Sequence, residues 1–316
     1  MKHNGVKRSL LAAAMVSLVA VTAACTNAEG ASSTGAGQAS PGAQSGQEVA
    51  QSVQINPKVQ ALVPEAIKSK GTLNLVTDPT YAPIDFTDDQ GKIIGLEPDM
   101  ALAVAKKMGV GISIEKADFN GILAGIQAKR YDASWAAFSI TAERQQVVNM
   151  VSYMQAGTSV LVKKGNAAGV KDVLDLCGKT VAAQTGTTQA LTVLPSFEQQ
   201  CTAAGKDKPT ALILPQQDNV NQAVASGRAH ALVADNALVG YYAKLQPDAF
   251  TPIDAILVDP SPYGVVSAKD DNGLSKAFQA AIQSLIDDGS YSKIMESWNL
   301  KSGEMKTAEL NPVVAS

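Results

Sequence analysis

The stretch "TLNLVTDPTYAPIDF", residues 72–86, decides the architecture. Its first six residues alternate apolar and polar side chains and predict a β-strand, which must stop at Pro79 because proline cannot pair further in a sheet. In a parallel sheet, ligands bind in the crevice outside the carboxyl ends of the strands. Asp78 and Tyr81, on a loop stiffened by Pro79 and Pro83, are therefore predicted to face a crevice. The alternative is an ordinary turn with a capping aspartate.

The alternation that starts here continues along the chain. Met100, Val104 and Met108 recur at helical spacing until Gly109, which predicts a helix that ends there. Further strands are predicted from "GISIE" (111–115), "RYDASWAAFS" (130–139), "TSVLVKK" (158–164), "KTVAAQTG" (179–186), "ALILPQ" (211–216), "HALVAD" (230–235) and "YGVVSAK" (263–269). Two amphipathic helices are expected after the last strand. This order indicates an α/β fold with parallel or mixed sheets covered by helices.

The grouping of the strands predicts two α/β lobes, the second inserted within the first. A chain of 316 residues is long enough for about two domains of roughly 100–150 residues. We expect lobe 1 to comprise residues 56–158 and 260–316, and lobe 2 residues 159–259. The connections are expected near Gln155–Val162 and Leu257–Tyr263. Two connecting strands make a hinge, and a cleft between hinged lobes is a usual position for a small ligand.

The charge balance excludes one class of partner. The chain carries 26 Lys and Arg against 29 Asp and Glu, for a formal net charge of −3, which leaves no basic field for nucleic acid. His3 and His230 are the histidines of the chain, and neither they nor the cysteines have the spacing of a metal site. We expect no nucleic-acid partner, no metal and no cofactor.

The first 25 residues have the order of an export signal. Three basic residues precede an apolar run over residues 10–21, which is too short to span a bilayer. The following "VTAAC" is similar to the lipobox of bacterial lipoproteins, in which the cysteine is acylated and becomes the mature N-terminus. Residues 1–25 are thus predicted to be a lipoprotein signal with Cys25 as the lipid anchor. The alternative is a conventional signal peptide cut near Ala23 or Ala24.

Residues 26–55 are predicted to form a flexible tether, because Gly, Ala, Ser, Gln and Thr dominate them and little apolar surface is available to bury. No later stretch of about 20 apolar residues follows. The protein is therefore expected to be exported and lipid-anchored to the outer face of the bacterial cell membrane rather than to span it.

Two cysteines lie after the midpoint, Cys177 in "DLCGKTV" and Cys201 in "FEQQC". In an exported chain they are expected to form one disulfide. The alternative is a pair of buried thiols.

The stretch "SWAAFSITAERQQ", residues 134–146, suggests an anion site. Ser139 ends a predicted strand and Thr141 is a predicted N-cap, so Arg144 falls in the first turn of a helix. An arginine at this positive helix end makes sense if a carboxylate is held between the two by hydrogen bonds. The alternative is a surface arginine paired with Glu143.

Two further stretches carry groups suited to a small zwitterion. In "AAQTGTTQA" (182–190) a strand runs into a turn, after which Thr187 and Thr188 open a helix and present hydroxyl and N–H groups to an anion. Asp235 ends the apolar "HALVAD", where its carboxylate would meet an ammonium group. The alternative for both the threonine turn and Asp235 is that they only cap the helices that follow them. Together with Arg144 they match the head group of a free amino acid.

These stretches make the chain resemble a known family. The segments 77–109, 131–146, "QTGTTQ" (184–189), "SGRAHALVADNALVGYY" (226–242) and 263–300 match, in order and spacing, the family 3 extracellular solute-binding proteins, which are periplasmic or lipid-anchored amino-acid-binding proteins of ABC importers. The resemblance covers about residues 71–300. It implies the two-lobed periplasmic-binding-protein fold (type II), with two hinge crossovers and the ligand cleft between the lobes.

The resemblance also implies roles at the head group of the ligand. Arg144 and the backbone at Thr188 are expected to bind the α-carboxylate. Asp235, the Ala137 carbonyl and the Ser139 hydroxyl are expected to bind the α-ammonium group.

For the ligand side chain, the resemblance implies a sandwich between Tyr81 and Phe119, the latter in "ADFNGI". Asp78 would meet the distal end, which favours a basic amino acid, with glutamine close behind. Trp135 falls on the same face of its predicted strand as Ala137 and would line the side-chain pocket, unless it packs in the core.

The expected function is that of a transport receptor. The lobes would close on arginine, lysine, ornithine or glutamine, and the closed monomer would deliver it to the transmembrane subunits of an ABC permease. One alternative is an enzyme on the same scaffold, like the cyclohexadienyl dehydratases, which would need a general acid in the cleft. Another is a sensory receptor for the same ligand.

Overall fold

Helices and strands alternate along residues 45–314, the part of the chain that the computed structural model describes. The helices are α1 (Gly46–Ser52), α2 (Pro57–Leu62), α3 (Glu65–Lys70), α4 (Leu96–Met108), α5 (Phe119–Gln127), α6 (Ala142–Val147), α7 (Leu194–Ala203), α8 (Gln217–Ala225), α9 (Asn236–Leu245), α10 (Asn272–Asp287) and α11 (Ser290–Ser297). A π-helix, Gln189–Val193, leads into α7, and 3-10 turns lie at Val173–Leu176 and Lys301–Gly303.

The strands are β1 (Thr72–Thr77), β2 (Thr80–Tyr81), β3 (Asp85–Thr87), β4 (Ile93–Ile94), β5 (Gly111–Lys116), β6 (Ala133–Ser134), β7 (Val148–Lys163), β8 (Thr180–Gln184), β9 (Thr210–Leu214), β10 (Ala231–Asp235) and β11 (Phe250–Ala268). Eight of them form one mixed sheet in the order β5-β1-β6-β11-β7-β10-β8-β9, and β2, β3 and β4 form a small antiparallel sheet. The α/β fold class is confirmed.

The long strands β7 and β11 connect two halves of the large sheet. They pair antiparallel along most of their length, with register shifts at 253–257, 258–261 and 263–264. On one side β1 pairs in parallel with β5 and β6, and on the other β8 pairs in parallel with β9 and β10. We call these halves lobe 1 and lobe 2. The two strands thus run where the sequence predicted the crossovers of a hinge.

The start of α4 shows why the predicted helix begins where it does. Gly95 has φ +139°, and a Cβ there would lie 2.1 Å from the carbonyl oxygen of Ile84. Only glycine permits this approach. The helix then runs from Leu96 and ends at Gly109, whose φ of +72° is the left-handed cap expected from the sequence.

Two predicted strands have the wrong length. The segment 130–139 is a strand only at β6, and farther along Ala137 has φ +51°, outside the extended conformation. Conversely, β7 begins at Val148 rather than at Thr158. Its first half is buried almost throughout, so it shows little of the alternation by which half-buried strands are recognised.

The predicted tether of residues 26–55 is wrong at its C-terminal end. Ser45 and Glu48 form a reciprocal capping box that starts α1. Val49 and Ala50 are buried, and the helix packs against α4 and α11. Gly46 and Val53 of the same segment are buried as well, so its few small and apolar residues face the protein. The rest of the predicted tether lies outside the described residues.

Three apolar cores support the sheet. One lies in lobe 1 around Ile122 and Phe138, and one in lobe 2 around Val181 and Phe197. The largest joins the helices of lobe 1 to α8 and α9 of lobe 2. No helix within residues 45–314 is long and apolar enough to cross a membrane.

Candidate ligand-binding site

The loop after β1 places Asp78 and Tyr81 at the carboxyl end of the strand, as predicted. Both side chains are buried, with 5% and 8% of their surface exposed. The Asp78 carboxylate accepts hydrogen bonds from the Thr80 hydroxyl (3.0 Å) and the Phe119 N–H (3.2 Å). Burial raises the pKa of Asp78, while these hydrogen bonds oppose the rise.

Arg144 projects from α6 into the same region. The Thr141 hydroxyl caps this helix by accepting from the Arg144 N–H at 3.2 Å. The guanidinium donates to the carbonyl oxygens of Ser139 (2.7 Å) and Gly186 (3.1 Å) and lies over the rings of Phe119 and Phe138, whose centroids are 5.7 and 5.1 Å away. Each of these contacts is to a neutral group.

No carboxylate of the described residues is bonded directly to Arg144. The residue is 9% exposed, and no Asp or Glu oxygen among residues 45–314 lies within 4.0 Å of its nitrogens. Burial lowers the pKa of the guanidinium to about 10, although the charges of Asp235 and Glu143 oppose this from farther away. A buried cation without a directly bonded counter-charge is costly, so this position favours an anion from outside the chain.

The turn between β8 and the π-helix faces Arg144 from lobe 2. Gly186 has φ +80°, and a Cβ there would lie 2.7 Å from the Asn120 side-chain oxygen, so glycine lets the turn approach lobe 1. The Thr188 hydroxyl lies 3.4 Å from that of Ser139. No described group accepts a hydrogen bond from the Thr188 N–H, which leaves it available to an anion.

Asp235, at the end of β10, is held by two side chains. Its carboxylate accepts from the Tyr81 hydroxyl (2.6 Å) and from the Gln189 amide (3.0 Å), and the Asp235 N–H donates back to the Tyr81 oxygen (3.0 Å). Burial raises the pKa of Asp235 to about 6, although these donors favour the ionised form. A carboxylate poised in this way suits an ammonium group.

Gln184, the last residue of β8, reaches Asp78 across the cleft. Its amide donates to the Asp78 carboxylate at 2.7 Å and to the Pro215 carbonyl at 3.3 Å. The distal end of the cleft is therefore formed by a carboxylate from lobe 1 and an amide from lobe 2.

All eight predicted ligand-binding residues lie together around one cleft. The space at the cleft that is not filled by protein atoms, counted together with the solvent at its open mouth, is about 340 Å³. The lining residues are Asp78, Tyr81, Phe119, Ala136, Ala137, Ser139, Arg144, Gln184, Thr187, Thr188, Gln189 and Asp235. Sequence reasoning did not select Ala136, Gln184 or Gln189 as site residues. The two glutamines bracket the quoted "QTGTTQ" motif, so the motif itself was the available signal. The binding roles of the predicted residues remain predictions.

Trp135 does not line this cleft. It is 3% exposed, its ring lies 4.7 Å from that of Tyr153, and it borders a separate small internal cavity. The prediction that placed it beside Ala137 assumed strand alternation, which ends at β6. The alternative that it packs in the core is the one the structure shows.

The predicted disulfide and His230 lie outside the cleft. The disulfide between Cys177 and Cys201 is confirmed. The Nδ1 of His230 accepts from the Thr180 N–H at 3.0 Å. Within residues 45–314, no group of three or more His, Cys, Asp or Glu side chains could hold a metal ion. Cys25, the predicted lipid anchor, lies outside the described residues.

Comparison with known proteins decides the family. Residues 73–301 match the model of the bacterial extracellular solute-binding proteins, family 3. The chain belongs to this family.

Arginine-binding proteins are prominent among the relatives of this family 3 protein. It is 31% identical over 255 residues to the arginine-binding protein ArgT of Corynebacterium glutamicum, covering 81% of this chain and 83% of ArgT. An ancestral arginine-binding protein bound to arginine superimposes with a TM-score of 0.65 at 33% identity, covering 72% of this chain and 98% of that one.

A second similar structure bears on the alternative that the protein is an enzyme. It is the ancestral amino-acid-binding protein AncCDT-1, a precursor of cyclohexadienyl dehydratase, with a TM-score of 0.67 and 32% identity over 75% of this chain and 99% of that one. These relatives are named as binding proteins, and the family 3 protein shares their two-lobed fold.

Proposed function

We propose that this family 3 protein is the substrate-binding component of an ABC importer and captures a free basic amino acid, with arginine as the leading candidate. The observation that carries the proposal is the buried Arg144, which has no carboxylate within 4.0 Å among residues 45–314 and shares one cleft with Asp235. A cation and an anion placed in this way complement the carboxylate and ammonium groups of an amino acid.

In the proposed complex, the head group bridges the lobes. The α-carboxylate lies between the Arg144 guanidinium of lobe 1 and the free Thr188 N–H of lobe 2. The α-ammonium donates to Asp235, the Ala137 carbonyl and the Ser139 hydroxyl. Because the ligand contacts both lobes, it stabilises the closed form more than the open form, and closure follows from this difference in affinity.

The distal end of the cleft supports a basic side chain. Asp78 is buried and carries acceptor oxygens, and the aromatic ring of Phe119 lines the same cleft. A guanidinium is planar and has five donors, so it can serve Asp78 and the Gln184 carbonyl together. Lysine, ornithine and glutamine offer fewer donors and are the next candidates.

Delivery to a permease and attachment through an acylated Cys25 complete the proposal. Support for the first comes from the family match over residues 73–301. Support for the second comes from the "VTAAC" sequence.

The deciding experiment is a thermal-shift and calorimetric screen of the protein, unfolded and refolded to remove carried ligand, against the common amino acids. A ligand at 100 times its Kd stabilises the folded state by about 2.7 kcal/mol. Two arginine analogues test the head group: agmatine lacks the carboxylate, and 5-guanidinopentanoate lacks the ammonium. We expect arginine to bind and both analogues to bind far more weakly. If no amino acid shifts the unfolding transition, the proposal fails and the dehydratase alternative leads.

A further inference from the structure

Two acidic side chains are buried together beneath the cleft. Asp85, on β3, is 1% exposed and Glu97, in the first turn of α4, is fully buried. The two carboxyl groups border the same small cavity as Thr77 and Trp135, and the charge of Glu97 acts on Asp85. No Lys, Arg or His nitrogen among residues 45–314 lies within 4.0 Å of either carboxyl.

One oxygen of each carboxyl group lacks a hydrogen-bond donor. With both groups written as carboxylates, Asp85 Oδ2 and Glu97 Oε2 are buried and have no partner among the described residues. Two ionised carboxylates in contact, without a cation, repel each other strongly. A single proton between the two carboxyl groups satisfies both oxygens at once and removes one of the two charges.

The other oxygen of Glu97 supports the cleft. Glu97 Oε1 accepts from the Ala137 N–H at 2.8 Å and from the Tyr153 hydroxyl. Ala137 has φ +51°, a conformation that costs free energy for a residue with a Cβ and persists only where its surroundings hold it. Ala137 lines the cleft, and its carbonyl oxygen accepts no hydrogen bond from the described residues.

We propose that Asp85 and Glu97 share one proton and that Glu97, as a positioning residue, holds Ala137 in the conformation that presents its carbonyl oxygen to the ligand ammonium. The inference rests on the proposed function for the identity of that ammonium. It adds a buried pair, outside the cleft lining, on which recognition of the head group depends.

The surroundings of the pair place the proton on Asp85. Burial and the neighbouring Glu97 charge raise the pKa of Asp85 well above its usual range, and burial also raises the pKa of Glu97. The titratable groups that face the pair are Tyr153 on β7 and Asp78 on the loop after β1, and neither supplies a positive charge. Glu97 keeps the negative charge because it receives the Ala137 and Tyr153 donors.

Conservative and disruptive variants distinguish the positioning of Ala137 from a requirement for negative charge at these two positions. In Glu97→Gln the side-chain oxygen can still accept from Ala137, and the amide can donate to Asp85. In Asp85→Asn the amide replaces the shared proton. We expect both variants to bind arginine within threefold of the wild-type Kd, and Glu97→Leu to bind at least tenfold more weakly. The matched control is Asp99→Leu. Asp99 is a buried carboxylate on the same helix, but it accepts a hydrogen bond from Trp298 instead, so this variant should bind arginine with unchanged affinity.

Two readouts exclude a merely structural effect. The analogue 5-guanidinopentanoate has no ammonium, so Glu97→Leu should bind it within threefold of wild type. The infrared C=O band of a protonated carboxyl should be present at neutral pH and absent from Asp85→Asn, a test that does not require Glu97→Leu to fold.

The outcomes also separate this inference from the proposed function. If the wild-type protein binds arginine but Glu97→Leu binds it equally well, or loses both ligands equally, the positioning role is wrong. Absence of the infrared band overturns the shared proton. If the wild-type protein binds no amino acid, the proposed function fails, while the infrared band still tests the pair.

Discussion

Replacing Arg144 with methionine removes the buried guanidinium from the cleft while keeping much of its apolar stem. The proposal predicts that the variant folds but loses arginine binding. In the wild-type protein the guanidinium is held by two carbonyl oxygens and two aromatic rings. The carboxylate of the ligand would be its anionic partner, so binding should be far more sensitive to this change than folding.

The expected magnitudes follow from burial. Truncating one member of a buried, hydrogen-bonded charge pair costs about 2–5 kcal/mol of binding free energy, which corresponds to a Kd about 30- to 4,000-fold weaker. For the ligand-free protein two effects oppose each other. Burial that lowers the pKa of Arg144 to about 10 implies about 3 kcal/mol against the charged form, whereas two lost charged hydrogen bonds cost about 1.5–3 kcal/mol each. We expect the free energy of unfolding to fall by no more than about 3 kcal/mol.

Thermal unfolding and calorimetry with and without arginine measure both quantities. At a concentration 100 times the wild-type Kd, arginine stabilises the wild-type protein by about 2.7 kcal/mol, whereas a variant with a 1,000-fold weaker Kd gains less than about 0.1 kcal/mol. The matched control is Arg228→Met, because Arg228 is exposed in a turn of lobe 2 and should leave the shift intact. Arginine affinity within threefold of wild type in Arg144→Met would refute the carboxylate assignment. So would an equal loss for agmatine, which has no carboxylate to lose.

Three further predictions concern the contact of Asp78 with the ligand side chain, the titration of the Asp235 carboxyl and the disulfide. Asp78→Asn should weaken arginine and lysine at least tenfold more than glutamine by calorimetry, and an equal loss for all three would contradict its role. Because the pKa of Asp235 is raised to about 6, arginine affinity should fall about tenfold between pH 7 and pH 5 as the carboxyl protonates, a dependence that Asp235→Asn should lack. The same raised pKa makes the ligand-free protein lose stability as pH rises from about 4 to 6. Replacing Cys177 and Cys201 with serine should lower the free energy of unfolding by about 3 kcal/mol, since the bridge closes a loop with a sequence separation of 24; denaturant midpoints that coincide with wild type would contradict this.

Much of the fold was readable because its signals are local. Strands with alternating burial such as β1 and β5, the glycine stop of α4 and the placement of site residues at strand ends all follow from residues close in sequence. The predictions failed where a distant contact decided the outcome. Beyond β6 the chain leaves the extended conformation at Ala137, whose N–H donates to Glu97, 40 residues away in the sequence. Trp135, just before this bend, packs in the core, the alternative that the sequence left open.

The two glutamines that sequence reasoning missed share a physical cause. Gln184 and Gln189 are neutral amides, which are common on surfaces and carry no charge that marks a site. Their importance comes from partners more than 40 residues away, Asp78 for one and Asp235 for the other. Glu97 sits in a helix first turn, where an acidic residue already has a sufficient explanation in the helix dipole.

The contacts across the cleft determine where binding free energy can come from. Tyr81 bonds Asp235, Gln184 bonds Asp78, and the hydroxyls of Ser139 and Thr188 approach each other. A ligand that inserts here must exchange one hydrogen bond for another at each of these groups, and such exchanges contribute little net free energy.

Arg144 and the Ala137 carbonyl differ from these groups. Among the described residues, no carboxylate lies within 4.0 Å of Arg144, and no donor bonds to the Ala137 carbonyl. The α-carboxylate and α-ammonium of an amino acid would therefore supply most of the affinity. The Asp78 end of the cleft would select among side chains, because a guanidinium offers several N–H donors to replace the Gln184 amide at the Asp78 carboxylate, whereas a shorter or neutral side chain offers fewer. On this argument, changes at Arg144 should weaken all amino acids alike, and changes at Gln184 should reorder them.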